Sequence, residues 1–460
     1  MKVKVTAFTL AVTPNPSHQY KLIRFLRAYR DWVQYVVDQI WFSVELPSMK
    51  KLHYKFYEIL RKQGFRAHHC HKIERRAREV VKGIRKQWIE KLKHEIRDEL
   101  RIFYGKKKLT KSERKAIEDL AWEIAKYQLN LMIESREFKV SKTHSEKPVL
   151  KKLTARLDHQ DYKLDVNTKT LKIAVLNNEW VELKLLWYSY LEGYFNSSWR
   201  PKEILVSCRD NEVWVYFTFE KEVVLKQPKA IMGVDINFDN ITYTIIDTSG
   251  KLATIGTIPF NGLKRALVHK IITEEIMMKY PRKWRFTKGI REAIRKHGRR
   301  ARNILNDSCH YVSRRIVNIA REYDALIVLE DLSKLKTKAS GSKRFNKRLS
   351  LWAYHRIQSY IYYKALAKEL NVAYVNPRRT SKTSPLGGKL TFINYKWAKL
   401  PNGHIVTRDI VASWNLALRG LKLYIRDVGS RGSVETPKAP DQMQPQEGMK
   451  GKPMFTVYYI

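Results

Sequence analysis

Cysteine is scarce. The 460 residues contain three, Cys70, Cys208 and Cys309, too far apart for a CxxC pair or a disulfide framework, so a reducing compartment is the natural setting. Acidic residues are also short. Asp and Glu total 45 against 89 Lys and Arg, a formal net charge of +44. An excess of that size excludes an enzyme of ordinary charge acting on small neutral substrates. It repels itself and calls for a polyanion beside it. Composition alone leaves a ribosomal or membrane-surface protein open. Long apolar runs are missing too, and none approaches the ~18 residues that span a bilayer. Lys2 and Lys4 before the run TAFTLAV faintly suggest a signal peptide. The alternation of residues 2–12 reads better as a strand, and no small-x-small cleavage site follows. What is plentiful is apolar residue content, 44%, enough for real cores and against wholesale disorder. The length suits two or three domains.

Along the chain the period changes twice. After the first strand, Pro14-Asn15-Pro16-Ser17 opens a helix carrying Leu22, Phe25, Leu26, Tyr29, Val33, Val36, Val37 and Ile40 at helical spacing. A long second helix has Ile73, Val80, Ile84, Trp88, Leu92, Ile96 and Leu100 on one stripe. Its other face carries Arg75, Arg76, Arg78, Lys82, Arg85, Lys86, Lys91 and Lys93, and residues 111–135 read as helix again. From 164 the alternation is that of strands: Leu164 and Val166; Leu171, Ile173 and Val175; Val181, Leu183 and Leu185; Ile204, Val206 and Cys208; Val213, Val215, Phe217 and Phe219. This predicts a small antiparallel β-barrel. The first strand can join it, which makes the helical block an insertion.

From 231 the grammar is α/β. IMGVDINFDN, ITYTIIDTSG and KLATIGTIP read as three antiparallel strands. A basic helix over 288–322, the strand ALIVLEDL, a helix near 350–370, the strand VAYVNP and a final helix from Asp409 follow. That order fits a ribonuclease-H-type layered fold. The overall class is therefore an α+β multidomain protein. The last 33 residues, 428–460, are rich in Pro, Gln, Gly and Met and read as a disordered tail.

Three acids stand out by position. Asp235 ends the run Ile231–Val234, Glu330 ends Ala325–Leu329, and Asp409 opens the last helix; they lie 95 and 79 residues apart. A single acid at a strand end is usually a solvated turn residue, and Asp409 has the alternative of a plain N-cap. Three together in this fold grammar point to phosphodiester chemistry. An oxygen-rich carboxylate cluster binds Mg²⁺ or Mn²⁺. Two such ions ~3.5–4 Å apart activate water and stabilise the leaving oxygen.

The segments GVDINFDNITYTIID, LIVLEDLSKL and TRDIVASWNLALRG resemble the three RuvC motifs of TnpB proteins, transposon-encoded RNA-guided DNA nucleases related to the type V CRISPR effectors. TPNPSHQYKLIRFLRAYR resembles the N-terminal segment of that family, and LWAYHRIQSYIYYKALAKELNVAYVNP the stretch between its second and third motifs. The resemblance implies a wedge-type β-barrel over 1–14 and 139–228, an inserted helical recognition domain over 15–138, and a RuvC nuclease over 229–376 and 405–427. It implies Asp235, Glu330 and Asp409 as catalytic triad, with two Mg²⁺ ions as cofactor, Asp235 bridging them and each of the other acids completing one coordination sphere. It implies a guide RNA from the transposon end and double-stranded target DNA as partners, no membrane, and a prokaryotic cytoplasm with the nucleoid as location. The alternatives in other classes are a nuclease-dead RNA-guided DNA-binding repressor and a strand-transferring transposase.

Departures from the family pattern are specific. DRDxNAAxN reads TRDIVASWN, with Thr407 for the leading Asp and Val411 for the first Asn; Asn415 fits the second. The four-cysteine zinc ribbon is replaced over 377–404. Ser384, Gly387, Leu400 and Gly403 stand at the cysteine positions, so tetrahedral zinc is not expected. That segment reads as a target-strand module held by packing of Phe392, Tyr395 and Trp397.

Four further stretches invite a role. The stretch with Arg282, Lys283, Arg285, Lys288, Arg291, Arg295, Lys296, Arg299, Arg300 and Arg302, interleaved with Trp284 and Phe286, reads as a phosphate-contacting face rather than a merely solvated one. Arg75, Arg78 and Arg85 are the corresponding candidates in the helical block. Residues 333–349 suit either a mobile lid over the acids or a plain linker. The run His68-His69-Cys70-His71 reads as structural, because consecutive helical residues point about 100° apart and cannot all face one ion.

Overall fold

The computed structural model describes residues 1–105, 109–136, 147–332 and 353–430. The segment 333–349, expected as a lid or a plain linker, and the tail from 431 onward lie outside them. The chain divides into two compact units, residues 6–220 and residues 1–5 with 221–460. Among the described residues no helix is long and apolar enough to cross a membrane.

The first unit combines five helices with most of a seven-stranded sheet. Strand β1 (Lys2–Val12) is followed by α1 (Pro16–Ile40), α2 (Met49–Lys62), α3 (Ala67–Phe103) and α4 (Lys111–Glu134). Then come β2 (Leu153–Leu157), β3 (Tyr162–Asp165), β4 (Thr170–Ala174), β5 (Trp180–Leu185), α5 (Ser189–Phe195), β6 (Arg200–Arg209) and β7 (Glu212–Glu222). Several of these elements start from a local cause. Asn15 accepts from the Ser17 amide with Pro16 in the first turn, and Thr110 and Glu113 form a reciprocal capping box. Asp210 and Asn211 both take positive φ in the β6–β7 turn, the conformation a two-residue hairpin loop requires.

The sheet order is β2-β6-β7-β1-β5-β4-β3. The first strand therefore joins the sheet, as its alternation predicts. The sheet is not the closed barrel expected from the sequence. β2 and β3 are its two ends and do not pair among the described residues. They run five and four residues and are joined by a tight turn in which the Asp161 amide donates to the Asp158 carbonyl. Helices cover the sheet instead, and one continuous core runs from Phe25, Tyr29 and Val37 through Leu52, Phe56, Ile73 and Trp88 to Leu171, Leu183, Val215 and Phe217.

Arg85 corrects one sequence expectation. It lies on the buried stripe of α3 between Val81 and Trp88, and its guanidinium donates to the carbonyls of Trp41 (2.9 Å), Ser43 (2.6 Å) and Val44 (3.0 Å). It satisfies the backbone just beyond α1 and is not a phosphate-facing group. We expect Arg85→Ala to cost about 1–3 kcal/mol, since one buried and two part-buried acceptors lose their donor. Urea unfolding measures this, and an unchanged midpoint would exclude the role.

The second unit is layered. Strands β8 (Ala230–Ile236), β9 (Asn240–Asp247) and β10 (Leu252–Pro259) run antiparallel to one another. After α6 (Gly262–Lys279) and α7 (Lys288–Glu322), β11 (Ala325–Glu330) pairs parallel with β8, and after α8 (Tyr354–Ala367), β12 (Val372–Val375) pairs parallel with β11. The order is β10-β9-β8-β11-β12. β8 is buried along its whole length, which is why its sequence is a continuous apolar run rather than an alternating one. Helix α9 (Arg408–Ser430) crosses the sheet, so residues 428–430 of the expected tail are helical.

Strands β13 (Thr391–Phe392), β14 (Trp397–Lys399) and β15 (Ile405–Thr407) form a small separate sheet. Its packing differs from the sequence expectation. Phe392, Tyr395 and Trp397 are exposed, Tyr395 at 87%. The residues that hold it are Leu390, Ala398, Leu400 and Val411. Alternation turns Ala398 inward and its neighbours Trp397 and Lys399 outward. Leu400, at a position where the family carries cysteine, is part of that small core.

A half-buried cation reports on the α7–α8 packing. Lys364 donates to the His310 carbonyl (2.8 Å) and to Ser313 Oγ (2.7 Å). Burial, with Arg314 nearby, pulls its pKa from 10.5 down to about 7, against a smaller opposing effect of Cys309. The unfolded chain keeps this proton up to the ordinary lysine range, whereas the folded chain releases it near neutrality. Stability from this group therefore rises with pH from about 7 to about 10. We expect the Tm difference between Lys364→Met and wild type to favour the variant most below pH 7 and to shrink above it. A difference flat across pH 6–10 would refute the assignment.

Candidate active site

The three acids gather at one end of the layered unit. β8 and β11 pair in parallel with Val328 opposite Gly233, so Asp235 and Glu330, each two residues further on, end neighbouring strands. Helix α9 brings the third. It lies directly on Gly233, where a Cβ would fall 2.0 Å from the Ser413 carbonyl oxygen and 2.4 Å from the Ala417 nitrogen. Its contact is fixed again by Thr244 Oγ1 and Ser413 Oγ at 2.7 Å. Asp409, one turn before Ser413, is thereby carried toward Asp235. Gly420 repeats the close approach against Val328 and Ile231.

Each carboxylate is held by neutral donors. Asn237 Nδ2 donates to Asp235 Oδ2 (2.8 Å), Thr380 Oγ1 to Glu330 Oε1 (3.0 Å), and Asn240 Nδ2 approaches Asp409 Oδ2 at 3.5 Å. None of the three makes an ion pair with Lys or Arg within 4.0 Å among the described residues. Burial, with Glu330 and then Asp409 nearby, pushes the Asp235 carboxyl up to about 8. Burial also raises Glu330, against the Thr380 hydrogen bond and Arg419. It raises Asp409 as well, opposed by the Asn240 hydrogen bond, helped by Asp239, and opposed more weakly by Lys396 and Arg408. Asp235 thus feels both other acids electrostatically. The oxygens of the three do not all lie within 4.8 Å of one another; among the described residues that tightness is reached by His53, His71 and Glu74. A buried acid flanked by two half-buried ones, none in an ion pair among the described residues and all offering oxygen, fits a hard divalent cation.

Sequence reasoning missed the supporting groups. Asn415, buried, donates to the carbonyls of Thr380, Thr383 and Val411, and so ties the 380–383 segment, whose Thr380 orients Glu330, to α9. Asn237 and Asn240 sit inside the motif GVDINFDN, where polar residues directly after a buried strand were the available signal.

The basic candidates separate by exposure. Arg285, Lys288, Arg291, Arg295, Arg299 and Arg300 all face solvent on or just before α7, and Arg75 does so on α3. Arg78 is half-buried and donates to the Pro47 carbonyl (2.9 Å), and Arg85 is enclosed. Phe286 is 82% exposed, and Arg285 lies over Trp284. We expect the double change Arg299→Ala, Arg300→Ala to weaken nucleic-acid binding and lower its salt dependence by about two counterions, with Tm unmoved. An unchanged salt slope in filter binding would remove α7 from the interface.

Residues 354–416, from α8 through the small sheet into α9, match the family model described as Cas12f1-like, TNB domain. The TnpB-like protein MJ0751 of Methanocaldococcus jannaschii is 31% identical over 275 residues, covering 58% of this chain and 94% of that protein. The chain belongs to the TnpB family. A CRISPR-associated endodeoxyribonuclease, Cas12f2 of a Micrarchaeota archaeon, is 27% identical to this TnpB-family chain over 184 residues, 37% of the chain and 32% of that protein. A solved Cas12f1–sgRNA–target DNA complex aligns over 91% of the TnpB-family chain and 99% of its own, at 14% identity and a TM-score of 0.47.

Proposed function

We propose that this protein is an RNA-guided DNA endonuclease of a transposable element, whose layered unit is a RuvC, ribonuclease-H-type nuclease hydrolysing DNA phosphodiesters with Asp235, Glu330 and Asp409. The carrying observation is that Asp235, buried on β8, is acted on electrostatically by Glu330 at the end of β11 and Asp409 in the first turn of α9, both half-buried, with none of the three in an ion pair among the described residues. Membership in the TnpB family and similarity to a protein named an endodeoxyribonuclease support it. The charge of +44 suits a folded guide RNA together with target DNA, read by pairing and by a short flanking motif.

The acids would hold two Mg²⁺ ions, which supply Lewis acidity and a hydroxide-like water. The chain's own contribution is orientation. Asn237, Thr380 and Asn240 fix three carboxylates that would otherwise swing apart. In the reaction a water oxygen bonds to phosphorus, the bond to one sugar oxygen breaks, and that oxygen leaves with a proton.

The test is cleavage of a plasmid carrying the guide-matched site by the chain purified with its RNA, in Mg²⁺ and in EDTA. Linear product in Mg²⁺ alone is expected. Binding without cutting would instead establish a repressor, and joined 3′ ends a transposase.

A further inference from the structure

The helical block carries a second cluster with different chemistry. His53 stands on α2, and His71 and Glu74 stand three residues apart on one face of α3. We infer that His53, His71 and Glu74 form a binding site for a transition-metal dication of the zinc type, stapling α2 to α3.

The geometry is that of converging ligands rather than of hydrogen bonds. His53 Nδ1 lies 3.6 Å and His71 Nδ1 3.8 Å from the same carboxylate oxygen, Glu74 Oε2. Both distances are too long for a hydrogen bond. One ligand atom from each residue falls within 4.8 Å of the other two. Ligands about 2.0–2.2 Å from a tetrahedral ion are themselves roughly 3.3–3.6 Å apart, so a small closure completes the arrangement. The imidazoles are stacked, 4.5 Å between centroids and 2° between planes, so one ring turns about its Cβ–Cγ bond for both in-plane lone pairs to meet one ion.

Glu74 is the second, independent sign. Its side chain is fully enclosed, at 0% exposure, and neither carboxylate oxygen has a hydrogen-bond partner, nor does His53 Nδ1. A buried acid in that condition is costly unless it is protonated or coordinates an ion. Burial raises its pKa to about 7, the direction that a bound cation would reverse. His71 is half exposed, which leaves an entry path and a fourth position open to water. Two imidazole nitrogens and one carboxylate suit Zn²⁺, Co²⁺ or Ni²⁺ rather than the hard, oxygen-preferring ions expected at the three acids. The staple has a mechanical object. α2 and α3 are joined by residues 63–66 alone, with Gly64 at φ +83, and the exposed Arg75 follows the site directly on α3.

The test uses the full chain stripped with chelator and titrated with Co²⁺. Four-coordinate nitrogen and oxygen ligation gives intense visible bands, while carboxylate- or phosphate-bound Co²⁺, octahedral, gives weak ones. Wild type and Asp235→Ala should both show the intense bands, and Zn²⁺ should raise Tm by about 5 °C. His71→Ala removes an exposed side chain and should fold normally, yet lose the bands and weaken Zn²⁺ binding at least about tenfold. Glu74→Gln should lose the Zn²⁺-dependent rise in Tm. No intense bands in wild type, or an unchanged spectrum and affinity in folded His71→Ala, would overturn the site. It would leave a protonated carboxyl packed beside two histidines. A Zn²⁺-dependent rise in Tm retained in Glu74→Gln would do the same.

Discussion

Asp235→Ala leaves a chain that folds, carries RNA and binds target DNA, but cuts on the order of a thousandfold more slowly or not at all. The expectation follows from placement. Asp235 is the acid on the central strand, buried and acted on electrostatically by both other acids, so no neighbouring carboxylate can replace it. The fold should not suffer. Removing a charge that Glu330 and Asp409 repel relieves that repulsion, and Asp235→Asn should raise the Tm of the metal-free protein above pH 8, where the wild-type carboxyl ionises. Single-turnover cleavage beside a gel-shift measurement separates chemistry from binding. Wild-type cleavage by Asp235→Ala, with RNA bound, would end the hydrolytic account at this site.

Gly233→Ala carries the second large effect. A methyl group there meets the backbone of α9 at 2.0 and 2.4 Å, and backbone cannot swing aside as a flexible side chain can. The helix must shift, and Asp409 travels with it. We expect a loss of at least about 3 kcal/mol together with loss of cleavage, even though no reacting group is touched. Gly298→Ala is the matched control. Nothing lies within 4 Å of a Cβ at 298, it sits inside α7, and the change should stabilise by up to about 1 kcal/mol. Equal Tm values for the two variants would show that the helix–sheet contact does not set the position of Asp409.

The strands that carry Asp235 and Glu330 were legible because a fully buried strand must be apolar throughout, and an acid ending such a run is conspicuous. Helix α9 was legible by its stripe. Other features depend on partners that a linear pattern does not specify. Alternation marks β2 and β3 as half-buried strands or leaves them too short to notice, but says nothing of whether they meet, so closure into a barrel was not readable. Arg85 looked like one more member of a basic face. Its spacing from Val81 and Trp88 placed it on the buried stripe, and that spacing was the available warning. Glu74 is the same case, four residues after Cys70 and three before Ala77, all enclosed. The exposure of Phe392 and Trp397 could not be foreseen, because in strands of two and three residues the inward position is decided by register, and Tyr395 lies in the turn between them.

β1 lies in the middle of the seven-stranded sheet, between β7 and β5, although it is made before every other strand. Its neighbours lie some 170 to 220 residues further along the chain. At a ribosomal pace of roughly 5–20 residues per second it waits about ten to forty seconds with both edges unpaired. Closing so long a loop is slow as well. The nascent chain therefore passes through a window in which an apolar, two-edged strand is open to wrong partners. Slower synthesis of residues 180–222 would lengthen that window and lower the yield of folded protein.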